Sequence, residues 1–216
     1  FRFTDIRRLA AEARVDELLT NAIPPAIAAR LRRGERRIAE AYDGTTVVFA
    51  DLVGFTPWSR RTTPDDVVAT LDALFTRFDD LAAKHGLEKI KTIGDAYMAV
   101  AGAPEPRPDH AAAALAFARD LLAAVSDTRT ARGIDLQVRV GVATGPVIGG
   151  VIGTRRLLFD LWGDTVNLAS RMESSGVAGR IQLAESTRDA LGDGVDLLAR
   201  TVEVKGLGRL TAYLVS

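Results

Sequence analysis

Two aspartates, Asp51 and Asp95, point most directly to chemistry in this chain of 216 residues. Each follows a run typical of a β-strand, at residues 47–50 and 90–93, where the chain must turn. A glycine lies within three residues of each aspartate, and glycine lets the backbone approach a ligand closely. Carboxylates in such positions suit a divalent metal and the phosphates it binds. Taken singly, either aspartate could instead cap a helix or lie in a hairpin turn.

A third segment resolves this ambiguity. A glycine-rich run, GVATGPVIGGVIG at 141–153, precedes FDLWGDTVNLASRM at 159–172. With FADLVGFT at 49–56 and EKIKTIGDAYM at 88–98, these stretches closely resemble the class III nucleotidyl cyclases, the catalytic domain of adenylyl and guanylyl cyclases. The resemblance covers about residues 43–216, with four motifs in the family's order.

The resemblance implies a two-metal site. Asp51 and Asp95 would hold two ions per active site, Mg²⁺ or Mn²⁺, and the backbone carbonyl of Leu52 would complete the ligand set. The backbone amides around Phe55 and Thr56, opening onto a helix, would cradle the phosphates. The sequence contains no G-x-x-x-x-G-K motif, which excludes a Walker-type nucleotide site.

Three further residues are assigned to the ribose and phosphates. Asn167 and Arg171 are four residues apart and would share one face of a helix. The resemblance implies that Arg171 stabilises charge on the α-phosphate in the transition state, that Asn167 orients the ribose, and that Lys205 contacts the terminal phosphates. Spacing alone would also fit a surface arginine and an asparagine at a helix start, and the motif match favours the catalytic roles.

Lys91 and Asp160 occupy the base-reading positions of the family. Adenine offers an acceptor at N1 and a donor at N6, whereas guanine offers a donor at N1 and an acceptor at O6. An ammonium donates and a carboxylate accepts, so the pair matches adenine and opposes guanine. A guanylyl cyclase would be expected to carry an acidic residue at the lysine position. The alternative is an exposed strand lysine and a turn aspartate.

These assignments predict an adenylyl cyclase acting in signal transduction. The ribose 3′ oxygen of ATP would attack the α-phosphorus, giving cyclic AMP and pyrophosphate. In the family, the metal ligands and the Asn/Arg pair acting at one site come from different chains. A single chain that carries both halves therefore implies a symmetric homodimer with two sites at its interface.

Composition limits the other functions. The chain is 47% apolar and 26% charged with zero net charge, which disfavours a nucleic-acid partner and an RNA-binding ferredoxin-like domain. It has no cysteine for a disulfide or a thiolate metal site, and its two histidines, His85 and His110, are expected at a helix end and a helix start. A guanylyl cyclase and a catalytically silent regulatory or dimerisation module remain as alternatives.

The elements that must position the site follow the order β-α-β-β-α-β, then α-β-α-β-β. This order predicts an α/β (α+β) fold, a ferredoxin-like sandwich with C-terminal additions and an N-terminal helical extension. Phe159 and Trp162, which flank Asp160, are predicted to pack in the core. The predicted strands are 45–50, 87–93, 96–101, 136–142, 181–183, 197–204 and 209–215, and the predicted helices are 64–78, 110–125, 164–173 and 187–191.

Residues 1–42 are predicted to be a helical lead-in that packs or dimerises, ahead of a catalytic domain at 43–216. A helix is expected over 2–22, ended by the prolines at 24 and 25, with a shorter helix following to a stop at Gly34. The stretch LLTNAIPPAIAARLRRGE resembles the lead-in of bacterial members, which often follow a membrane or sensor region. Because the chain opens on Phe1 rather than methionine, we expect more sequence upstream, and a position on the cytoplasmic side of the cell membrane.

Overall fold

The fold is built on one mixed sheet. The computed structural model describes residues 23–153, 157–204, 206 and 208–216. Within these ranges the sheet has the strand order β2-β3-β1-β4-β6-β8-β7, with β5 paired to β4 outside this path. Among the strands of the described residues, β4 and β6 form the one parallel pair, and the other pairs are antiparallel. The strands are β1 Ala39–Val53, β2 Glu88–Ile93, β3 Ala96–Ala101, β4 Gln137–Ile152, β5 Leu158–Trp162, β6 Ile181–Ala184, β7 Leu197–Val204 and β8 Gly208–Val215.

The helices pack on both faces of this sheet. In the described ranges they are α1 Pro25–Arg32, α2 Phe55–Ser59, α3 Pro64–His85, α4 His110–Arg132, α5 Asp164–Ser174 and α6 Glu185–Leu191, followed by a 3₁₀ turn at Gly192–Gly194. The start of α3 is the predicted one: the hydroxyl of Thr63 accepts the backbone N–H of Asp66, and Pro64 is the first helical residue. None of the helices in the described ranges is long and apolar enough to cross a membrane.

Strand β1 separates two hydrophobic clusters. Val48, Ala50 and Leu52 face α3 and α4, where they meet side chains such as Phe78 and Phe117. Val47 and Phe49 alternate with them and face α5, where the core contains Ala169 and Met172. The continuous apolar run of β1 is therefore buried on both faces, as predicted. Asp51 continues the second series, so it projects on the α5 side of the sheet.

The predicted element order and fold class are confirmed, but several boundaries were wrong. Strand β4 extends to Ile152 rather than ending near residue 142, and the five residues of β5 were not predicted as a strand. The glycine-rich sequence of β4 has the composition of a loop. It stays extended because β1 pairs with it on one side and β5 on the other. Long-range pairing therefore overrides local propensity here.

The lead-in is described only in its second half. The shorter predicted helix is confirmed as α1, which ends at Arg32, and the backbone N–H of Gly34 bonds the carbonyl of Leu31. Ile27 and Ile38 are both buried in the cluster on the α5 side, so α1 packs against the hydrophobic core of the fold. The helix predicted over 2–22 lies outside the described residues.

The two histidines lie where the sequence placed them. His85 is the last residue of α3, and His110 is the first residue of α4. His110 contributes a hydrogen bond between its Nδ1 and the Thr46 hydroxyl, at 2.8 Å. The Thr46 hydroxyl also lies 2.8 Å from that of Thr144 on β4. This buried polar contact fixes the middle of β4 against β1.

Candidate active site

The two aspartates come together at one end of the sheet. Asp51 lies near the end of β1, directly opposite Ala96 of β3 in the strand register. Asp95 immediately precedes Ala96, in the two-residue turn that joins β2 to β3. Both side chains are half-buried, outside the main clusters. The hairpin therefore brings Asp95 close enough to Asp51 for the two charges to interact.

The electrostatics of this pair favour a bound cation. Burial raises the pKa of Asp51, and the negative charge of Asp95 raises it further, while Arg139 opposes the shift. A divalent ion between the carboxylates would relieve both effects. Among the described residues no group of three or more His, Cys, Asp or Glu could hold a metal. Two carboxylates fit Mg²⁺ or Mn²⁺ that keeps substrate phosphates and water as its other ligands.

The predicted phosphate loop follows directly. The side chain of Leu52 is buried in the core, which leaves only its backbone for ligand contact. Gly54 adopts a φ of 87°, a conformation that favours glycine, and turns the chain into α2. Phe55 and Thr56 are the first two residues of that helix. Their amides therefore lie at the start of a helix within five residues of Asp51, as the sequence predicted.

Lys91 and Asp160 form a direct ion pair although they are 69 residues apart. The Lys91 ammonium lies 2.5 Å from Oδ2 of Asp160, whose side chain is only 8% exposed. The other carboxylate oxygen, Oδ1, accepts the backbone N–H of Leu161 at 2.8 Å. Asp160 is a buried residue of β5 rather than a turn aspartate, so that alternative was wrong.

Asn167 and Arg171 line a separate cleft. Both are exposed residues of α5, and they share one face of the helix as their spacing predicted. Among the described residues the Arg171 side chain has no hydrogen-bond or ion-pair partner. The cleft has a volume of about 700 Å³ and is also lined by Thr144, Gly145, Pro146, Asp164, Thr165, Leu168, Ser186, Gly206 and Leu210.

The α5 cleft is lined by Asn167 and Arg171 but not by the other predicted site residues that the structure describes. The described residues that line this cleft do not include Asp51, Asp95, Lys91 or Asp160. The sheet side of α5 is occupied by its packing on β4: a side-chain carbon at Gly141 would lie 2.0 Å from the backbone nitrogen of Glu173. Asn167 and Arg171 lie on the opposite side of the helix, and they face outward.

Residues 38–216 match the family model for the adenylate and guanylate cyclase catalytic domain. The chain belongs to this family. An adenylate cyclase of Mycobacterium tuberculosis is 47% identical over 209 residues, covering 95% of this chain and 47% of that protein. The chain thus spans about half the length of this curated relative.

Solved cyclase structures share the fold. The catalytic core of a rhodopsin-guanylyl cyclase with converted specificity, in complex with ATPαS, matches with a TM-score of 0.78 and 42% identity, covering 82% of this chain and 97% of that one. The adenylyl cyclase CyaB of P. aeruginosa matches with a TM-score of 0.78 and 28% identity, covering 83% of this chain and 96% of that one.

The cyclase domain contains two charged residues that sequence reasoning missed. Arg139 lies opposite Asp51 in the β1–β4 register, and its Nη2 is 3.4 Å from Oδ2 of Asp51. The same Nη2 is 2.8 Å from Oε1 of Glu173, on α5. A signal was available for Arg139, since it interrupts the apolar β4 pattern between Val138 and Val140.

Burial raises the pKa of the Glu173 carboxyl. The hydrogen bond and charge of Arg139 oppose that shift, while the nearby charges of Asp51 and Asp95 add to it. Two carboxylates, of Asp51 and Glu173, therefore contact the Arg139 guanidinium, and the charge of Asp95 acts on both of them. The arrangement concentrates negative charge at the end of β1, which suits cation binding.

Two other predictions for the cyclase site have different outcomes. Lys205 lies outside the described residues, and its contact with the terminal phosphates stays a prediction; the next residue, Gly206, lines the α5 cleft. Phe159 is buried as predicted, but Trp162 is 39% exposed, so its predicted core packing was wrong. Trp162 is the last residue of β5, where it pairs across the strands with the exposed Ile148.

Proposed function

We propose that this chain is an adenylyl cyclase that converts ATP to cyclic AMP and pyrophosphate at sites shared across a homodimer. The observation that carries the substrate assignment is the contact between Lys91 and Asp160. This contact places a hydrogen-bond donor, the Lys91 ammonium, beside an acceptor, the Asp160 carboxylate, where both could bind one base. Adenine presents the complementary acceptor and donor on one edge.

Lys91 and Asp160 would discriminate between adenine and guanine, because the two bases leave different hydrogen-bonding groups without a partner. Oδ1 of the nearly fully buried Asp160 accepts the Leu161 N–H, and Oδ2 accepts from Lys91 with room for one further donor. The N6 amino group of adenine supplies one, and adenine N1 accepts from Lys91. Guanine would place its O6 acceptor and N1 donor against groups of the same kind, and unpaired buried polar groups are costly. We therefore favour ATP over GTP.

The remaining residues account for the reaction. When bound, two divalent ions would help to ionise the ribose 3′ hydroxyl and neutralise the phosphates. Asp51 and Asp95 would hold these ions, with the Leu52 carbonyl. Asn167 would orient the ribose, and Arg171 would stabilise the charge that develops on the α-phosphate. The amides at Phe55 and Thr56, together with Lys205, would hold the other phosphates.

Two features support the shared site. The aspartates and the Asn167–Arg171 pair lie in different places of one chain, so each half needs a complement. Strands β4 and β5 also expose apolar side chains: Ile148, opposite Trp162, is 54% exposed, and Ile152, further along β4, is 50% exposed. Apolar groups gathered on one surface often mark a protein interface. A second copy of the chain would cover them and complete both sites.

Two parts of the proposal rest on resemblance alone. The helical lead-in favours a position after a membrane or sensor region, with the catalytic domain on the cytoplasmic side of the cell membrane. The division into a lead-in at 1–42 and a catalytic domain at 43–216 also stays a prediction, and β1 begins at Ala39, before that boundary.

Reversing the hydrogen-bond pattern should shift the choice of base. Lys91→Glu alone would place two carboxylates next to each other, so we pair it with Asp160→Ser. We expect the double variant to lose ATP preference in favour of GTP, by about 1–3 kcal/mol for each hydrogen bond to the base that is removed or reversed. The measurement is the ratio of kcat/KM for ATP to that for GTP.

The matched control is the double variant Lys84→Glu/Asp120→Ser, which makes the same net charge change at an exposed ion pair at the end of α3. It should keep the wild-type ratio. An unchanged ratio in the Lys91→Glu/Asp160→Ser variant would show that these residues do not read the base.

A further inference from the structure

The Arg139 guanidinium contacts two carboxylates, those of Glu173 and Asp51. The Arg139 guanidinium contacts Glu173 through Nε at 2.9 Å and through Nη2 at 2.8 Å. Its contact with Asp51 is longer, at 3.4 Å. Glu173 therefore has the stronger hold on this guanidinium, and Asp51 is the second carboxylate within reach.

Glu173 is held in place by the packing of α5. Its side chain is only 11% exposed, and its backbone lies directly over Gly141 of β4. The preceding carbonyl, of Met172, accepts a hydrogen bond from Nε2 of the buried Gln182 at 2.8 Å. The packing of α5 therefore fixes the position of the Glu173 carboxylate beside the sheet. The hydrogen bonds from Arg139 hold the guanidinium at that position.

We propose that Glu173 is a positioning residue that keeps the Arg139 guanidinium away from the cation position at Asp51. This inference rests on the proposed function, because it concerns the divalent ions that Asp51 and Asp95 would hold. Without the Glu173 carboxylate, Asp51 becomes the nearest partner for Arg139. An arginine paired closely with Asp51 would compete with a cation for the same oxygens.

The test measures metal binding directly. Mn²⁺ is titrated against the whole chain in the presence of 3′-deoxy-ATP, which lacks the attacking hydroxyl. Free Mn²⁺ is followed by electron paramagnetic resonance, and the same titration of 3′-deoxy-ATP without protein is subtracted because the triphosphate itself binds Mn²⁺. We expect Glu173→Gln to raise the Mn²⁺ concentration at half-saturation about tenfold, as for other residues that orient metal ligands. The matched control, Glu203→Gln, changes an exposed residue of β7 and should leave binding unchanged.

Two further variants separate positioning from simple charge. Glu173→Asp keeps the negative charge but shortens the side chain, so it should also weaken Mn²⁺ binding if contact with Arg139 matters. In an Arg139→Gln background, Glu173→Gln should have no further effect on Mn²⁺ binding, because the competing guanidinium is absent. Circular dichroism of each variant confirms that the fold is retained.

Three results would overturn the proposal. One is wild-type Mn²⁺ binding in Glu173→Gln. Another is wild-type binding in Glu173→Asp, which would show that charge alone acts. The third is an equal weakening of binding with and without Arg139. Failure of the proposed function looks different: wild type and Asp51→Ala would then bind Mn²⁺ equally, and no metal position at Asp51 would be left to protect.

Discussion

Asp51→Ala and Asp95→Ala should each abolish turnover while the fold is retained. Both carboxylates are half-buried beside each other at the end of β1, and no third His, Cys, Asp or Glu among the described residues joins them in a metal-binding cluster. Losing either would remove one of the two carboxylates proposed to hold the divalent ions. We expect a fall in kcat/KM of about 10³-fold or more, which corresponds to about 4 kcal/mol of lost transition-state stabilisation.

The measurement is the rate of product formation against Mg²⁺ or Mn²⁺ concentration, with thermal unfolding followed in parallel. Asp193→Ala removes an exposed carboxylate in the 3₁₀ turn and serves as the matched control, with wild-type turnover expected. Turnover at the wild-type rate in either site variant would refute the two-metal assignment. Activity without any divalent ion would refute it as well.

Mixing two inactive variants should restore activity. Asp51→Ala damages the metal half of the site and Arg171→Ala damages the other half, and each homodimer should be nearly inactive. After exchange, half of the dimers are heterodimers, which combine one doubly damaged site with one intact site. Recovered activity should approach roughly a quarter of the wild-type value under random pairing of a two-fold symmetric dimer.

The chain offers a strict control for this experiment. A mixture of Asp51→Ala with Asp95→Ala places both defects in the metal half, so every site of every heterodimer stays damaged and no activity should return. Exchange is verified with a tag on one variant. If exchange is complete and the Asp51→Ala and Arg171→Ala mixture stays inactive, the site lies within one chain and the shared arrangement is wrong.

The local chemistry of the site was readable from the sequence because its signals are local. An apolar run that ends at Asp51, a two-residue turn at Asp95, and the four-residue spacing of Asn167 and Arg171 each predict a position on one element. The structure confirms those positions. Capping signals worked for the same reason, as at Thr63, where one side chain and one backbone amide decide where the helix begins.

The contacts between distant elements were not readable in this way. Strand β5 is short and gains its conformation from pairing with β4, so its sequence alone did not predict a strand. As a result, the alternative of a turn position for Asp160 was wrong, and so was the prediction that Trp162 packs in the core. Arg139 and Glu173 were missed because their roles exist only once β4, β1 and α5 lie together. Long-range geometry, rather than residue type, defines that part of the site.

The central claim is that this chain makes cyclic AMP from ATP. The most direct measurement is to incubate the purified chain with ATP or GTP, in the presence of Mg²⁺ or Mn²⁺, and to identify the nucleotide products by mass spectrometry. We expect cyclic AMP and pyrophosphate from ATP, with a lower kcat/KM for GTP. A preference for GTP with cyclic GMP as the main product, or no cyclic nucleotide from either substrate with both metals, would contradict it.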